Sequence, residues 1–154
     1  MSPSTRRYAA IALAAGFVVA WRTEADRDAA AAQGRTPIMM TRIYTGADGL
    51  SRAENIEMTL DGNVSEMMKA TGVEFSRRPP GPVSDWHVGP RRQFVITLSG
   101  RAELEVGGGQ KVQVGPGHIN LIEDTTGKGH TTRNVGPDDR IVVTIPLADQ
   151  QPRR

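Results

Sequence analysis

The stretch WHVGPRRQFVITLSG, residues 86–100, decides the fold of this chain. Side chains on a β-strand point alternately to its two faces, so one face would carry His87, Gly89, Arg91, Gln93, Val95 and Thr97. The even-numbered positions from Phe94 to Leu98 are apolar, which predicts a strand over residues 91–98 that is buried on both sides. Polar side chains on one face of a buried strand indicate a pocket.

A second strand with polar side chains is predicted over residues 130–134, between His130 and Asn134. Further strands are expected at residues 43–45, 53–60, 73–77, 102–106, 111–114, 119–122 and 140–145. Residues 102–106 are expected to pair back on the first strand across Ser99 and Gly100, and the glycines at 107–109 predict a hairpin. Short strands separated by glycine turns indicate an all-β barrel or sandwich.

Composition limits the classes of function. The chain has 154 residues, enough for one domain, and its net charge of +2 with scattered arginine pairs does not favour nucleic-acid binding. It has no cysteine, which excludes disulfides and thiolate sites. Any metal would therefore be held by carboxylates, amides or the three histidines, His87, His118 and His130. His118 follows a turn glycine and is expected to be a turn or surface residue.

Residues 1–38 are predicted to be an extension ahead of a domain at 39–150, with a tail at 151–154. An uncharged apolar run at 8–20 follows Arg6 and Arg7, which is typical of a signal peptide and too short to span a membrane. Cleavage after residue 20 or 32 would make the protein exported or periplasmic; otherwise it is cytoplasmic. The alternatives are an alanine-rich helix and a translation start at Met39 or Met40.

The motifs resemble those of the cupin superfamily, in particular small single-domain bacterial cupins. Gly81, His87, Gln93 and Gly100 follow the spacing of the first cupin motif, and the second is matched from Gly115 to Asn134. The resemblance implies a double-stranded β-helix, or jelly-roll, barrel. Metal-binding cupins use a second histidine and a glutamate, where this chain has Gly89 and Gln93.

The candidate site residues follow from strand parity and this resemblance. His87 and His130 are the expected proton-transfer groups, since histidine titrates near neutral pH. Arg91 is interpreted either as a clamp for a substrate anion or as an ion-pair partner of Glu123 or Asp124, and Arg92 is expected to be solvated or at an interface. The other expected substrate contacts are Gln93, Trp86 and Asn134.

Three functions stay open from the sequence. The first is a small-molecule enzyme of the isomerase, lyase or cyclase type that uses acid–base chemistry on a polar or anionic ligand. The second is a metal-dependent, dioxygenase-like enzyme, in which Fe, Mn, Ni or Zn would be held by His87, Gln93, His130 and Glu123. The third is a ligand-binding or sensor module without catalysis. A homodimer is expected because the strand at 91–98 is apolar on its outer face too, and the expected partners include neither nucleic acid nor a membrane span.

Overall fold

A computed structural model describes residues 35–148 of the chain. The predicted signal-like segment at 1–20 or 1–32 and the tail at 151–154 therefore lie outside the described residues. Within the described part, no helix is long and apolar enough to cross a membrane. Nearly all of the regular structure there consists of β-strands.

The all-β prediction is confirmed, with eleven strands in residues 35–148. In chain order they are β1 Met39–Thr45, β2 Ser51–Glu57, β3 Leu60–Asp61, β4 Val64–Ser65, β5 Glu74–Arg78, β6 Gln93–Ser99, β7 Arg101–Glu105, β8 Lys111–Val114, β9 Ile119–Glu123, β10 Thr131–Val135 and β11 Arg140–Pro146. The strand predicted from residue 91 begins two residues later. Pro90 has no backbone N–H to donate to a ladder, and residues 90–92 form a bend instead.

Two sheets make up the body of the domain. The larger has the order β2-β1-β9-β6-β11-β5, and the smaller has the order β10-β7-β8. Neighbouring strands are antiparallel, except for the parallel pair β1 and β9. Strands β3 and β4 form a separate two-stranded ribbon. This is the double-stranded β-helix arrangement that the motifs predicted.

The predicted pairing of residues 102–106 with the strand before them is wrong. β6 pairs with β9 and β11, whereas β7 pairs with β8 and β10 in the other sheet. The chain changes sheet at Gly100, whose φ of +72° lies in the left-handed region. A Cβ at this position would lie 2.6 Å from the Cα of Arg140, so the crossing requires glycine. The hairpin predicted at 107–109 is confirmed between β7 and β8.

The core has two parts. One fills the space between the sheets and includes Ile43, Val95, Leu104 and Val142. The other covers the outer face of the large sheet with Met40, Phe94, Leu121 and Leu147, packed under residues such as Met58 and Met68. Each fully buried aliphatic side chain stabilises the fold by about 1.5–3 kcal/mol. The chain itself thus covers much of the outer face that motivated the predicted homodimer, and Leu98 remains half exposed there.

Candidate binding cavity

A cavity of about 280 Å³ opens between the two sheets. Its wall takes side chains from β6, β9 and β11 of the large sheet, and from the facing segments that carry Leu104, His130 and Thr132. The stretch at residues 86–100 contributes, as strand parity predicts, His87, Gly89, Arg91, Gln93 and Val95. The sixth residue of that face, Thr97, is fully buried and contacts an arginine of the cavity wall.

Backbone hydrogen bonds hold the two histidines side by side. The N–H of His87 donates to the carbonyl of His130 (3.0 Å), and the N–H of His130 donates to the carbonyl of His87 (2.9 Å). Their ring centroids are 4.7 Å apart. The Nδ1 of His87 lies 2.9 Å from the carbonyl oxygen of Asp85, which can only accept, so this nitrogen carries the proton. The Nε2 of a neutral His87 is therefore an acceptor.

Asp124 orients His130. This carboxylate is fully buried, and its Oδ2 accepts hydrogen bonds from His130 Nδ1 (2.7 Å) and from the Ser51 hydroxyl (2.8 Å). The proton of a neutral His130 is thereby held on Nδ1, and Nε2 is left free to accept a proton. Asp124 would stabilise the imidazolium that forms, as the carboxylate does in other Asp–His pairs. Ser51 lies far away in the sequence, and no motif pointed to it.

The arginine pair at 91–92 is arranged differently from the prediction for Arg92. Arg92 is buried, and its Nε lies 2.5 Å from Oε1 of Glu123. The other carboxylate oxygen of Glu123, Oε2, lies 2.6 Å from Nε of Arg42. The prediction of an Arg92 that is solvated or at an interface is wrong, because Glu123 on β9, itself paired with Arg42 on β1, binds the Arg92 guanidinium within the chain. Arg91 is exposed and lines the cavity, and no salt bridge in residues 35–148 involves it. Its predicted partners are engaged elsewhere.

Arg140 is the residue that the sequence reasoning missed. It is only 2% exposed, and its Nε–H and Nη2–H donate to the Thr97 hydroxyl at 3.1 and 2.9 Å. No carboxylate of the described residues lies within salt-bridge distance of it. Burial, with a smaller effect from Arg78, lowers its pKa to about 10. Strand parity in β11 could have identified it, since Arg140 and Thr144 both line the cavity.

The charge of the cavity wall is positive. Arg78, Arg91 and Arg140 line it, against a single carboxylate, that of Glu74 at the rim. A buried guanidinium without a carboxylate is unfavourable unless something compensates for its desolvation. Guanidinium groups bind carboxylates and phosphates through paired N–H donors. The cavity is therefore suited to an anion.

Several predicted site residues lie outside the cavity wall. Trp86 is partly exposed, with the Lys128 ammonium 3.8 Å from its ring centroid. Asn134 donates to the Pro79 carbonyl at 3.1 Å, because β10 carries it beyond the cavity. His118 is half-buried at a turn, as predicted, and contacts the Thr41 hydroxyl at 3.0 Å; burial lowers its pKa.

The donor set does not fit a divalent metal. His87, His130 and Gln93 line the cavity, but Glu123, the fourth predicted ligand, is held between two arginines outside it. Among residues 35–148 no group of three or more histidines and carboxylates is arranged to hold a metal ion. A side chain at Gly89, where metal-binding cupins have their second histidine, would meet Ile122 at 2.5 Å from its Cβ. Two imidazoles and a neutral amide are a weak site for a divalent ion.

The comparison with protein families agrees with this architecture. A family model described as "Cupin domain" matches residues 75–146. A conserved Klebsiella pneumoniae protein with a double-stranded β-helix domain is 23% identical over 61% of this chain and 85% of its own, with a TM-score of 0.40. A Neisseria meningitidis protein is 16% identical over 54% and 81%, with a TM-score of 0.37. No curated protein sequence matches significantly. The two structures are too distant to inform the site.

Proposed function

This chain belongs to the cupin superfamily through residues 75–146, and from that premise we propose that its cavity binds a small organic anion and moves a proton on it. Arg140 binds the carboxylate of the ligand. His130, oriented by Asp124, and His87 are the acid–base pair. The reaction class is that of isomerases, lyases or cyclases that act next to a carbonyl group.

The observation that carries this proposal is the buried Arg140 in the cavity wall. A guanidinium that is 2% exposed, and that within residues 35–148 is bound only to the Thr97 hydroxyl, retains donors for a ligand. A carboxylate would supply the missing countercharge at a guanidinium that is shielded from solvent, where the interaction is stronger than in water. Arg78 and Arg91 add positive charge to the same wall and attract anions to it.

The acid–base role is supported by the tautomers that the hydrogen bonds select. Both histidines have their Nδ1–H engaged, by Asp124 for His130 and by the Asp85 carbonyl for His87. Each neutral ring therefore presents an Nε2 lone pair. The ring that takes a proton from one carbon of the ligand onto its Nε2 becomes an imidazolium and returns that proton to a neighbouring atom, which is the minimal machinery of a 1,2-proton shift.

Binding is tested with Arg140→Met, which keeps the bulk of the side chain and removes its charge. Small monocarboxylates and their amides are titrated by calorimetry and thermal shift. We expect carboxylates alone to bind, and at least about tenfold more weakly to Arg140→Met. Arg133→Met, on the exposed face of β10, is the matched control and should bind as the wild type does. Equal binding by Arg140→Met would contradict the proposal.

Proton transfer is tested separately by NMR, as exchange of ligand C–H for deuterium in D₂O. We expect exchange with the wild type and a loss of about 10²-fold or more in His130→Gln, with carboxylate binding retained. Binding without exchange by the wild type would instead support the ligand-binding or sensor module.

We also propose that the chain forms a homodimer, which is supported by the exposed apolar side chains of Val73, Phe75 and Leu98. A monomer at micromolar concentration in gel filtration would contradict it.

A further inference from the structure

We infer that the anion bound in this cavity is a hydroxylated carboxylic acid, of the chemical type of the sugar acids. This inference rests on the proposed function and deepens it, because it names the substrate class for the same site. The observation behind it is a row of side chains in the middle of the cavity wall.

The row crosses three neighbouring strands of the large sheet. Asn120 on β9 is paired with Val95 on β6, and Val95 is paired with Thr144 on β11. All three residues line the cavity. Cross-strand partners have Cβ atoms about 5 Å apart and point to the same face. Asn120 and Thr144 therefore lie on the two sides of the apolar side chain of Val95, and each brings a polar side chain to the cavity wall.

Both polar residues of this row are buried and lack a partner for one atom. Asn120 is 1% exposed and Thr144 is 8% exposed. The Oγ1 of Thr144 has no hydrogen-bond partner among the residues that the structure describes. The Oδ1 of Asn120 has no partner in good hydrogen-bond geometry there, and only the ring of His118 lies close enough to interact with it, which raises the pKa of His118 against the larger effect of burial. Buried polar groups in proteins are nearly always hydrogen-bonded, so a pair of such atoms in one cavity wall points to a ligand that satisfies them.

The chemistry of the two atoms selects the ligand group. The amide oxygen of Asn120 only accepts hydrogen bonds, and the hydroxyl of Thr144 both donates and accepts. A ligand hydroxyl can donate to the first and exchange a hydrogen bond with the second. A carboxylate cannot donate, and a methylene group leaves both atoms unpaired. Sites built to bind a hydroxyl discriminate strongly against ligands that lack it.

The distance between this row and Arg140 sets the distance between the hydroxyl groups of the ligand and its carboxylate. The guanidinium contacts Thr97, which lies two residues beyond Val95 on the same face of β6. Two residues advance a strand by about 6.7 Å. Gln93 lies two residues before Val95 and also lines the cavity, beside Ile122. The distance along β6 from Thr97, where the Arg140 guanidinium is held, to Gln93 is about 13 Å. A ligand with a carboxylate, a hydroxylated middle and a chain of about six carbons would span this distance together with its hydrogen bonds.

The test compares matched acids. Gluconate, galactonate, glucuronate and galacturonate are titrated beside hexanoate, which has no hydroxyl, and adipate, which has a carboxylate at both ends. We expect at least one hydroxylated acid to bind at least about tenfold more tightly than hexanoate. Hexanoate or adipate binding as tightly as the best hydroxylated acid would overturn the inference.

Two variants assign the preference to the row. Thr144→Val and Asn120→Leu should each reduce the ratio of hydroxylated-acid to hexanoate affinity about tenfold, and hexanoate binding should be retained, which also reports that the variants are folded. Thr131→Val is the matched control, because Thr131 is equally buried but does not line the cavity. An unchanged ratio in both row variants would overturn the inference and leave the proposed function standing. If none of these acids binds the wild type, the proposed function fails together with the inference.

Discussion

Arg140 and Asp124 are both almost fully removed from solvent, and the fold compensates their charges differently. Asp124 accepts hydrogen bonds from Ser51 and His130, so its charge serves to orient a ring inside the chain. Arg140 has only a neutral hydroxyl for a partner among residues 35–148, and its pKa is lowered to about 10 because burial disfavours its charged form. The first arrangement orients a histidine ring, and the second leaves guanidinium donors without a charged partner among residues 35–148.

His118 gives a prediction on pH dependence. Burial lowers its pKa from the ordinary value of 6.5. As the pH falls through 6.5 toward the lower folded pKa, the unfolded chain binds more protons than the folded one, so the free energy of unfolding decreases. Below the folded pKa the loss is complete. We expect His118→Gln to remove this contribution. Between the folded pKa and 6.5, the slope of the free energy of unfolding against pH should then be smaller by at most about 1.4 kcal/mol per pH unit.

The measurement is urea denaturation of the wild type and His118→Gln at a series of pH values from about 7.5 to about 4.5. His87→Gln is the comparison, because His87 is exposed and the hydrogen-bond contacts of its ring, with the Asp85 carbonyl and the Ser84 hydroxyl, are local in sequence. A His118→Gln profile parallel to that of the wild type would refute the prediction.

At the level of elements, the cavity depends on two places where backbones cross closely. Gly100 carries the chain from β6 into the opposite sheet, against Asp139 and Arg140. Gly129 lies directly over the backbone of His87, and this contact lets the two histidine segments form their bridge. Both glycines have a positive φ, a backbone conformation that is energetically costly for residues with a side chain.

Gly129→Ala should therefore destabilise the domain by about 3 kcal/mol or more, since the new Cβ would collide with the carbonyl of His87. Gly136→Ala is the matched control, because Gly136 has a φ of +88° but no atom within 4 Å of the added Cβ. It should cost only the strain of the backbone, about 1 kcal/mol. Urea denaturation measures both, and equal losses would contradict the proposed role of the His87 crossing.

For the whole molecule, the two sheets enclose a site with arginines and histidines but without a carboxylate placed for metal binding. Glu123 and Asp124, the carboxylates nearest to His130 in sequence, are both bound by side chains of the protein itself. The resulting positive wall acts over the entire cavity and favours anions over cations.

The absence of a carboxylate placed for metal binding among residues 35–148 leads to a prediction on metal removal. We expect protein purified without chelator to keep its melting temperature and its carboxylate affinity after treatment with EDTA, because in the proposed function Arg140 binds the anion directly. Elemental analysis of the wild type beside a His87→Ala, His130→Ala double variant is the control. About one metal ion per wild-type chain that is lost in the double variant would contradict this prediction and favour the metal-dependent enzyme.

The order of short strands and turns, the cupin motifs and the cavity face from His87 to Val95 all follow from the sequence, because alternation is a local property of extended backbone. Parity in β11 would have added Arg140 by the same reasoning. Only the tertiary structure decided which partner each charge receives. Ser51 reaches Asp124, and Arg42 and Arg92 enclose Glu123, through strands distant in sequence. Such contacts depend on sheet order and register, and periodicity along one strand carries no information about the strand beside it.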